Sequence, residues 1–209
     1  KYNHIWQLHF DDLFILTFII SCKSTFNDKK VNSTTISMET LLLDKISIRA
    51  ISVSESKVFY DGNKSRVGYI NLKDKSKKEI RVDKDSISLE YRSIAQTDDA
   101  IFVVNIGNPA HLYKISKDLN SVKLVYSDTN EKVFFDSMQF WNNTEGIAMG
   151  DPVEDCLNII VTRDGGNSWN KIPCDKLPKV LTGEAAFAAS NTNIIIKENN
   201  TWIVSGGKS

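Results

Sequence analysis

Apolar residues in this chain arrive in bursts of mostly four to six, with polar turns between them. The bursts are rich in Ile, Val, Phe and Tyr, and they are too short for amphipathic helices. An apolar spacing of helical type is confined to residues 38–43. The pattern therefore predicts short β-strands. Four segments line up with one another: residues 47–51 (Ser-Ile-Arg-Ala-Ile), 91–94 (Tyr-Arg-Ser-Ile), 135–138 (Phe-Asp-Ser-Met) and 184–187 (Glu-Ala-Ala-Phe). With Ile51, Ile94, Met138 and Phe187 taken as equivalent, they stand 43, 44 and 49 residues apart. Each segment is followed by a second apolar run, at 57–60, 100–105, 145–150 and 193–196. A third run follows at 67–72, 111–115 and 157–162, and a fourth, at 123–126 and 168–172, closes the better units.

Four short strands in roughly 40–50 residues are the repeat of a propeller blade. The predicted fold class is all-β, a β-propeller of four-stranded blades divided at 41–82, 83–126, 127–180 and 181–209, the last incomplete. Closed rings use about four to eight blades. About three and a half are present at this period, so the expectation is a fragment of a larger ring, because open sheet edges invite aggregation.

Ahead of the repeat, residues 13–21 form a nine-residue run without charge. A bilayer needs ~20 helical residues, whereas the apolar core of a signal peptide needs roughly 7–15. The run ends Ile19-Ile20-Ser21-Cys22, which resembles a bacterial lipobox, with a small residue before the cut and a thiol to receive diacylglycerol. The expectation is a lipoprotein signal peptide over 1–22, a polar tether over 23–40 and a lipid anchor on Cys22. That places the protein in a bacterial cell envelope, periplasmic or on the outer membrane. Asp11 and Asp12 stand where positive charge is expected, and the competing reading is a buried apolar segment with an incidental Cys.

Composition narrows the function. The chain has 209 residues, 26 Lys+Arg and 26 Asp+Glu, for a net charge of zero. A nucleic-acid binder would need a basic excess, so no nucleic-acid partner is expected. At 41% hydrophobic and 25% charged the chain is globular rather than disordered. Three Cys and three His exclude a disulfide-built miniprotein and a His-rich metal cluster. No cofactor, metal site or catalytic residue is assigned. His111 is alone in the repeat region, which argues against a Ser-His-Asp arrangement.

One motif is sharp. Thr162, Asp164, Gly166, Ser168 and Trp169 fit the Asp-box pattern, [Ser/Thr]-x-Asp-x-Gly-x-[Ser/Thr]-Trp. Its physics is that of a tight hairpin. The carboxylate accepts turn N–H groups, glycine supplies positive φ and Trp covers the turn. Its role is read as structural. Weaker copies stand at Ser116-Lys117-Asp118 and at 71–74. Cys156 and Cys174 flank the hairpin symmetrically and are candidates for a disulfide, which an exported protein permits. The alternative is a buried Cys156 and a surface Cys174.

From Ser47 to Gly207 the chain resembles a bacterial family of exported propellers labelled oxidoreductase-like. That family is related to photosystem II stability/assembly factor-like proteins with bacterial neuraminidase (Asp-box) repeats. The carrying residues include Gly146-Ile147-Ala148-Met149-Gly150-Asp151-Pro152-Val153 and the Gly-Glu-Ala-Ala-Phe-Ala-Ala-Ser block at 183–190. The resemblance implies a ring of roughly six or seven blades, a protein partner and no secure reaction. No dinucleotide-binding motif supports the oxidoreductase label.

In such a ring the first strand of each blade lines the channel. Arg49, Arg92, Asp136, Asp151 and Glu184 sit on or next to those strands and are the candidate binding residues. They fit a pocket for a partner loop or a sugar-like group, or a water-filled channel with internal ion pairs. The expected function is a lipid-anchored protein-binding or assembly scaffold. The alternative is a sialidase-like glycoside hydrolase or a glycan-binding propeller. The hydrolase would need three arginines around a carboxylate and a Tyr–Glu pair.

Overall fold

A computed structural model describes residues 35–187, 191–198 and 200–207. The proposed leader, most of the tether and Cys22 lie outside the described residues. From Thr40 onward the chain forms one compact unit. Among the described residues it contains three four-stranded antiparallel sheets and a two-stranded ribbon, joined in chain order without a crossover. The first sheet is β1 (Ile48–Val53), β2 (Lys57–Gly62), β3 (Arg66–Asn71) and β4 (Lys77–Arg81). The second is β5 (Tyr91–Gln96), β6 (Ala100–Asn105), β7 (Ala110–Ser116) and β8 (Val122–Asp128). The third is β9 (Phe135–Phe140), β10 (Gly146–Gly150), β11 (Asn158–Thr162) and β12 (Asn170–Lys171). The ribbon pairs β13 (Ile194–Lys197) with β14 (Asn200–Ile203).

Each sheet is a meander, and successive first strands lie side by side: β1 by β5, β5 by β9 and β9 by β13. The sheets therefore stack about a hub of first strands. Burial follows the two-residue period of strands that present a face to each neighbour. Ala50, Phe59 and Val67 of the first sheet meet Ile94, Ile101, Val103 and Ile115 of the second. On the other face of the second sheet, Phe102, Val104 and Leu112 meet Phe135, Met138, Ala148, Ile160 and Trp169. Ile147, Met149 and Ile159 then meet Ala186 and Ile194. Alternate positions of β6 thus serve two different cores, which is why all six of its residues are buried.

A backbone bond recurs at the start of each complete unit. Asn63 N donates to Ser47 O (3.2 Å), Ile106 N to Glu90 O (3.0 Å) and Asp151 N to Phe134 O (2.9 Å).

The fourth unit differs from the sequence reading, which makes residues 193–196 its second strand. The bridge Ala185↔Gly206 and the register Ile194↔Ile203 instead make β13 the outer half of the first strand and β14 the second. Among the described residues, Asn191 and Thr192 precede β13 without joining the ladder. An added Cβ at Gly207 would meet Gly183 O and Glu184 Cα just as one at Gly150 would meet Phe134 O and Phe135 Cα, so Glu184 matches Phe135, as the sequence alignment places it.

The Thr162–Trp169 turn sits at the β11–β12 hairpin. Asp164 Oδ1 accepts from Thr162 Oγ1 (2.9 Å), Asn167 N (2.9 Å) and Ser168 N (3.0 Å), while Oδ2 accepts from Ser168 Oγ (2.7 Å). These bonds, led by those from Ser168, hold its carboxyl at about 2. Gly166 has φ +73°, and an added Cβ would stand 2.1 Å from the Phe102 ring. Trp169 is buried, with its ring edge-on to Phe140 at 5.7 Å. Ser116, Asp118 and Asn120 repeat the hydrogen-bonded turn between β7 and β8, with Leu119 at φ +59° where a glycine is usual. Cys156 and Cys174 are joined in a disulfide with Cα atoms 5.6 Å apart. Both lie beyond the strand ends, Cys174 in a short 3-10 turn, so the bridge links two loops rather than two opposed strand residues.

Candidate functional site

The first strands of the three complete sheets share one irregularity. Ile48 pairs with Gly62 and Ala50 with Asp61, leaving Arg49 out of the ladder. In the same way Arg92 is skipped between Tyr91 and Ser93, and Asp136 between Phe135 and Ser137. Such a one-residue bulge bends the strand and re-aims the extra side chain. Three of the five candidate residues therefore occupy one structural position, repeated around the hub. In the fourth unit Glu184 stands directly before the Ala185↔Gly206 bridge, and no skipped position is described there. Glu184 precedes the strand and accepts from Ser205 Oγ and from Leu181 N (2.9 Å).

Arg92, Asp136 and Asp151 come together. Glu90 Oε1 accepts from Arg92 Nη2 (3.0 Å) and Nε (3.3 Å), holding the guanidinium beside the Phe134 ring at 5.9 Å. Asp136 is 0% exposed, and neither carboxylate oxygen has a hydrogen-bond partner. Burial, then the charge of Asp151, push its carboxyl up to about 7, and Arg92 opposes the rise. The Asp151 N–H is close enough to ease that charge, although its hydrogen bond goes to Phe134 O. Asp151 lies just past β10 and is itself raised by burial. Its Oδ1 accepts from Ala186 N (2.8 Å), tying the third unit to the fourth. Arg49 stands apart: it is exposed at its bulge, with no ion-pair partner among the described residues.

Beside this cluster lies a hollow of about 410 Å³, lined in part by Ile87, Leu89, Glu90, Ile106, Pro109 and His111. Glu90 belongs to both the hollow and the Arg92 ion pair. Asn105 shapes the wall by accepting from His111 N (2.6 Å) and donating to Pro109 O (3.0 Å). His111 Nδ1 and Ser127 Oγ share a hydrogen bond of 3.0 Å, and burial lowers the imidazole's pKa. Hollow and cluster occupy the face where first strands begin and second strands end. The Thr162–Trp169 turn, one strand length away by the antiparallel order, is at the opposite end.

Sequence reasoning missed two groups. Asp61 is fully buried, with one oxygen accepting from Ala50 N (3.2 Å) and the other unpartnered, so burial raises its pKa well above the usual carboxylate range. Asn191 enters the hub from just before β13. Asp61 could have been flagged as a charge inside the apolar run at 57–62; nothing in the sequence marks Asn191.

A glycosidase arrangement is not assembled among the described residues. A Tyr–Glu pair does exist: Tyr60 donates its hydroxyl to Glu79 Oε2 (2.8 Å). Burial and that carboxylate raise the Tyr60 pKa, the wrong direction for a nucleophile. Of the arginines, Arg66 is held by Glu79 and Asp44, Arg81 lies by Asp83, and Arg163 pairs with Glu145. They serve separate carboxylates rather than converging on one.

No family model matches this chain, and no curated protein matches it. Among solved structures it is similar to one described as YCF48 bound to D1 peptide, with TM-score 0.52, 11% identity, and coverage of 78% of this chain and 54% of that one. The U3-55K structure (TM-score 0.47, 12% identity) and the RRP9 WD40 repeats (0.48, 12%) cover 63% and 66% of this chain, and 41% and 42% of theirs. The fold is that of a partial β-propeller. The chain spans between 41% and 54% of the length of these structures. In propeller terms the hub strands are the channel strands, and the hollow and the Arg92–Asp136–Asp151 cluster open on the face formed by second-to-third-strand loops.

Proposed function

We propose that this propeller is a protein-binding scaffold whose docking surface is the face carrying the hollow and the Glu90–Arg92–Asp136–Asp151 cluster. The observation that carries the reading is Asp136. A buried carboxylate without a partner costs stability, and here it stands beside an arginine already oriented by Glu90. Strand-start loops of a rigid ring are suited to present such groups to a partner. The apolar wall of Ile87, Ile106 and Pro109 supplies area for a side chain. A solved propeller of similar fold is described as bound to a peptide, which is consistent with this use of the architecture.

The same proposal includes export and attachment to a bacterial envelope through lipid on Cys22. The lipobox-like Ile-Ile-Ser-Cys sequence supports it, as does the Cys156–Cys174 disulfide, since such bonds persist in oxidising compartments. Labelled palmitate should enter the wild type and not Cys22→Ser. The docking reading is tested by retention of envelope proteins on the immobilised chain. A partner kept by the wild type and by Arg81→Ala, on an outer strand, should be lost from Arg92→Ala. Equal retention by all three removes the docking reading.

A further inference from the structure

Asn191 makes three hydrogen bonds with the hub strands of two other blades. Its Oδ1 accepts from Ser93 Oγ (2.7 Å) and from Met138 N (3.1 Å), and its Nδ2 donates to Ile94 O (2.8 Å). The two backbone partners fix the orientation of the amide, because Met138 N–H needs an acceptor and Ile94 C=O a donor. The side chain is 6% exposed, and its backbone has φ +55°. β5 and β9 are the edge strands of their sheets, so their outward backbone groups are free for a partner. Together they present one acceptor, one donor and one hydroxyl around a single planar amide.

We infer that Ser93, Ile94 and Met138 form an amide-recognition subsite in the hub, and that Asn191 occupies it as an internal stand-in for the amide of a bound peptide. The inference rests on the protein-binding reading and names what that partner offers: a backbone amide or an Asn or Gln carboxamide. A peptide bond carries the same N–H and C=O as the Asn191 side chain, so it satisfies the same three groups. Asn191 reaches the subsite from just before β13, and the internal amide competes at the high effective concentration of a tethered group. Partner binding displaces it, which makes the contact self-blocking.

The probe is N-acetyl-asparagine methylamide, titrated against isotope-labelled full chain and followed by backbone amide NMR. In Asn191→Gly the subsite is empty, and glycine accepts the positive φ without strain. Saturable shifts at Met138 and Ser93 are expected in this variant, with affinity for the probe at least about tenfold above wild type. A folded Asn191→Gly chain without saturable shifts at Met138, or one that binds the probe no better than wild type, overturns the proposal. Asn191→Asp is the second variant. It sets an acceptor against Ile94 O, so Met138 amide exchange should speed up by about tenfold, and unchanged exchange also overturns the proposal. Because the probe is a free amide, probe uptake without any retained partner removes only the docking reading. Partner retention without probe uptake removes only the subsite.

Discussion

Replacing Asp136 with asparagine tests the electrostatics of the hub directly. The carboxyl titrates at about 7 in the folded chain against an ordinary value of 3.8, chiefly because burial disfavours its charge. A raised acid binds its proton more tightly in the folded state, so its contribution is fully present below about pH 4 and is lost as pH rises through about 7. At about 1.4 kcal/mol for each tenfold step, the gap amounts to about 4 kcal/mol above neutrality. The carboxamide introduced by Asp136→Asn does not titrate and nearly matches the protonated carboxyl in shape. Urea unfolding followed by Trp fluorescence, at intervals from about pH 4 to 8, gives the difference between variant and wild type. That difference cancels the titrations of Asp61 and Asp151 to first order. The two chains should be of similar stability near pH 4, and the variant should gain steadily up to about 4 kcal/mol by pH 8. Parallel pH profiles would refute the claim that Asp136 is buried without a partner.

Three further outcomes follow from packing and covalent structure. Trp169→Ala removes a buried ring packed against Phe102 and Phe140 and should cost about 3–5 kcal/mol, read as a fall in urea midpoint with little change in slope. Gly166→Ala combines positive φ with a clash against Phe102 and should cost about 1–3 kcal/mol; a neutral effect in thermal melts would contradict the geometry. Opening the Cys156–Cys174 bridge, whose ends are 18 residues apart, should cost about 3 kcal/mol. Reductant should then lower the melting temperature of the wild type but not of Cys156→Ser/Cys174→Ser.

The sheet architecture was legible because strand signals are local. Residues 57–60, 100–105 and 145–150 carry apolar, β-branched or aromatic side chains between turns, and each falls on a second strand. The hairpin turns were legible for the same reason, since Thr162, Asp164 and Ser168 bond to one another within a few residues. The fourth unit was misread because its first strand pairs in two separate pieces. Ala185 and Ile194 stand nine positions apart, yet they pair with Gly206 and Ile203, which stand three apart, and a pattern search assigns the later run to a new strand. Arg92 and Asp136 were reachable by counting from strand starts. Asn191 was not, because its partners are 53 to 98 residues away and are mostly backbone groups that leave no mark in the sequence.

The skipped residue in the first strand of each four-stranded sheet has a consequence for how such a protein changes over time. Arg49, Arg92 and Asp136 hold the same station, yet one is exposed, one is clamped and one is buried. Since the ladder runs past these stations without using them, their chemistry can be rewritten one blade at a time. The wheel then works as a fixed mount with independently exchangeable contacts at its centre.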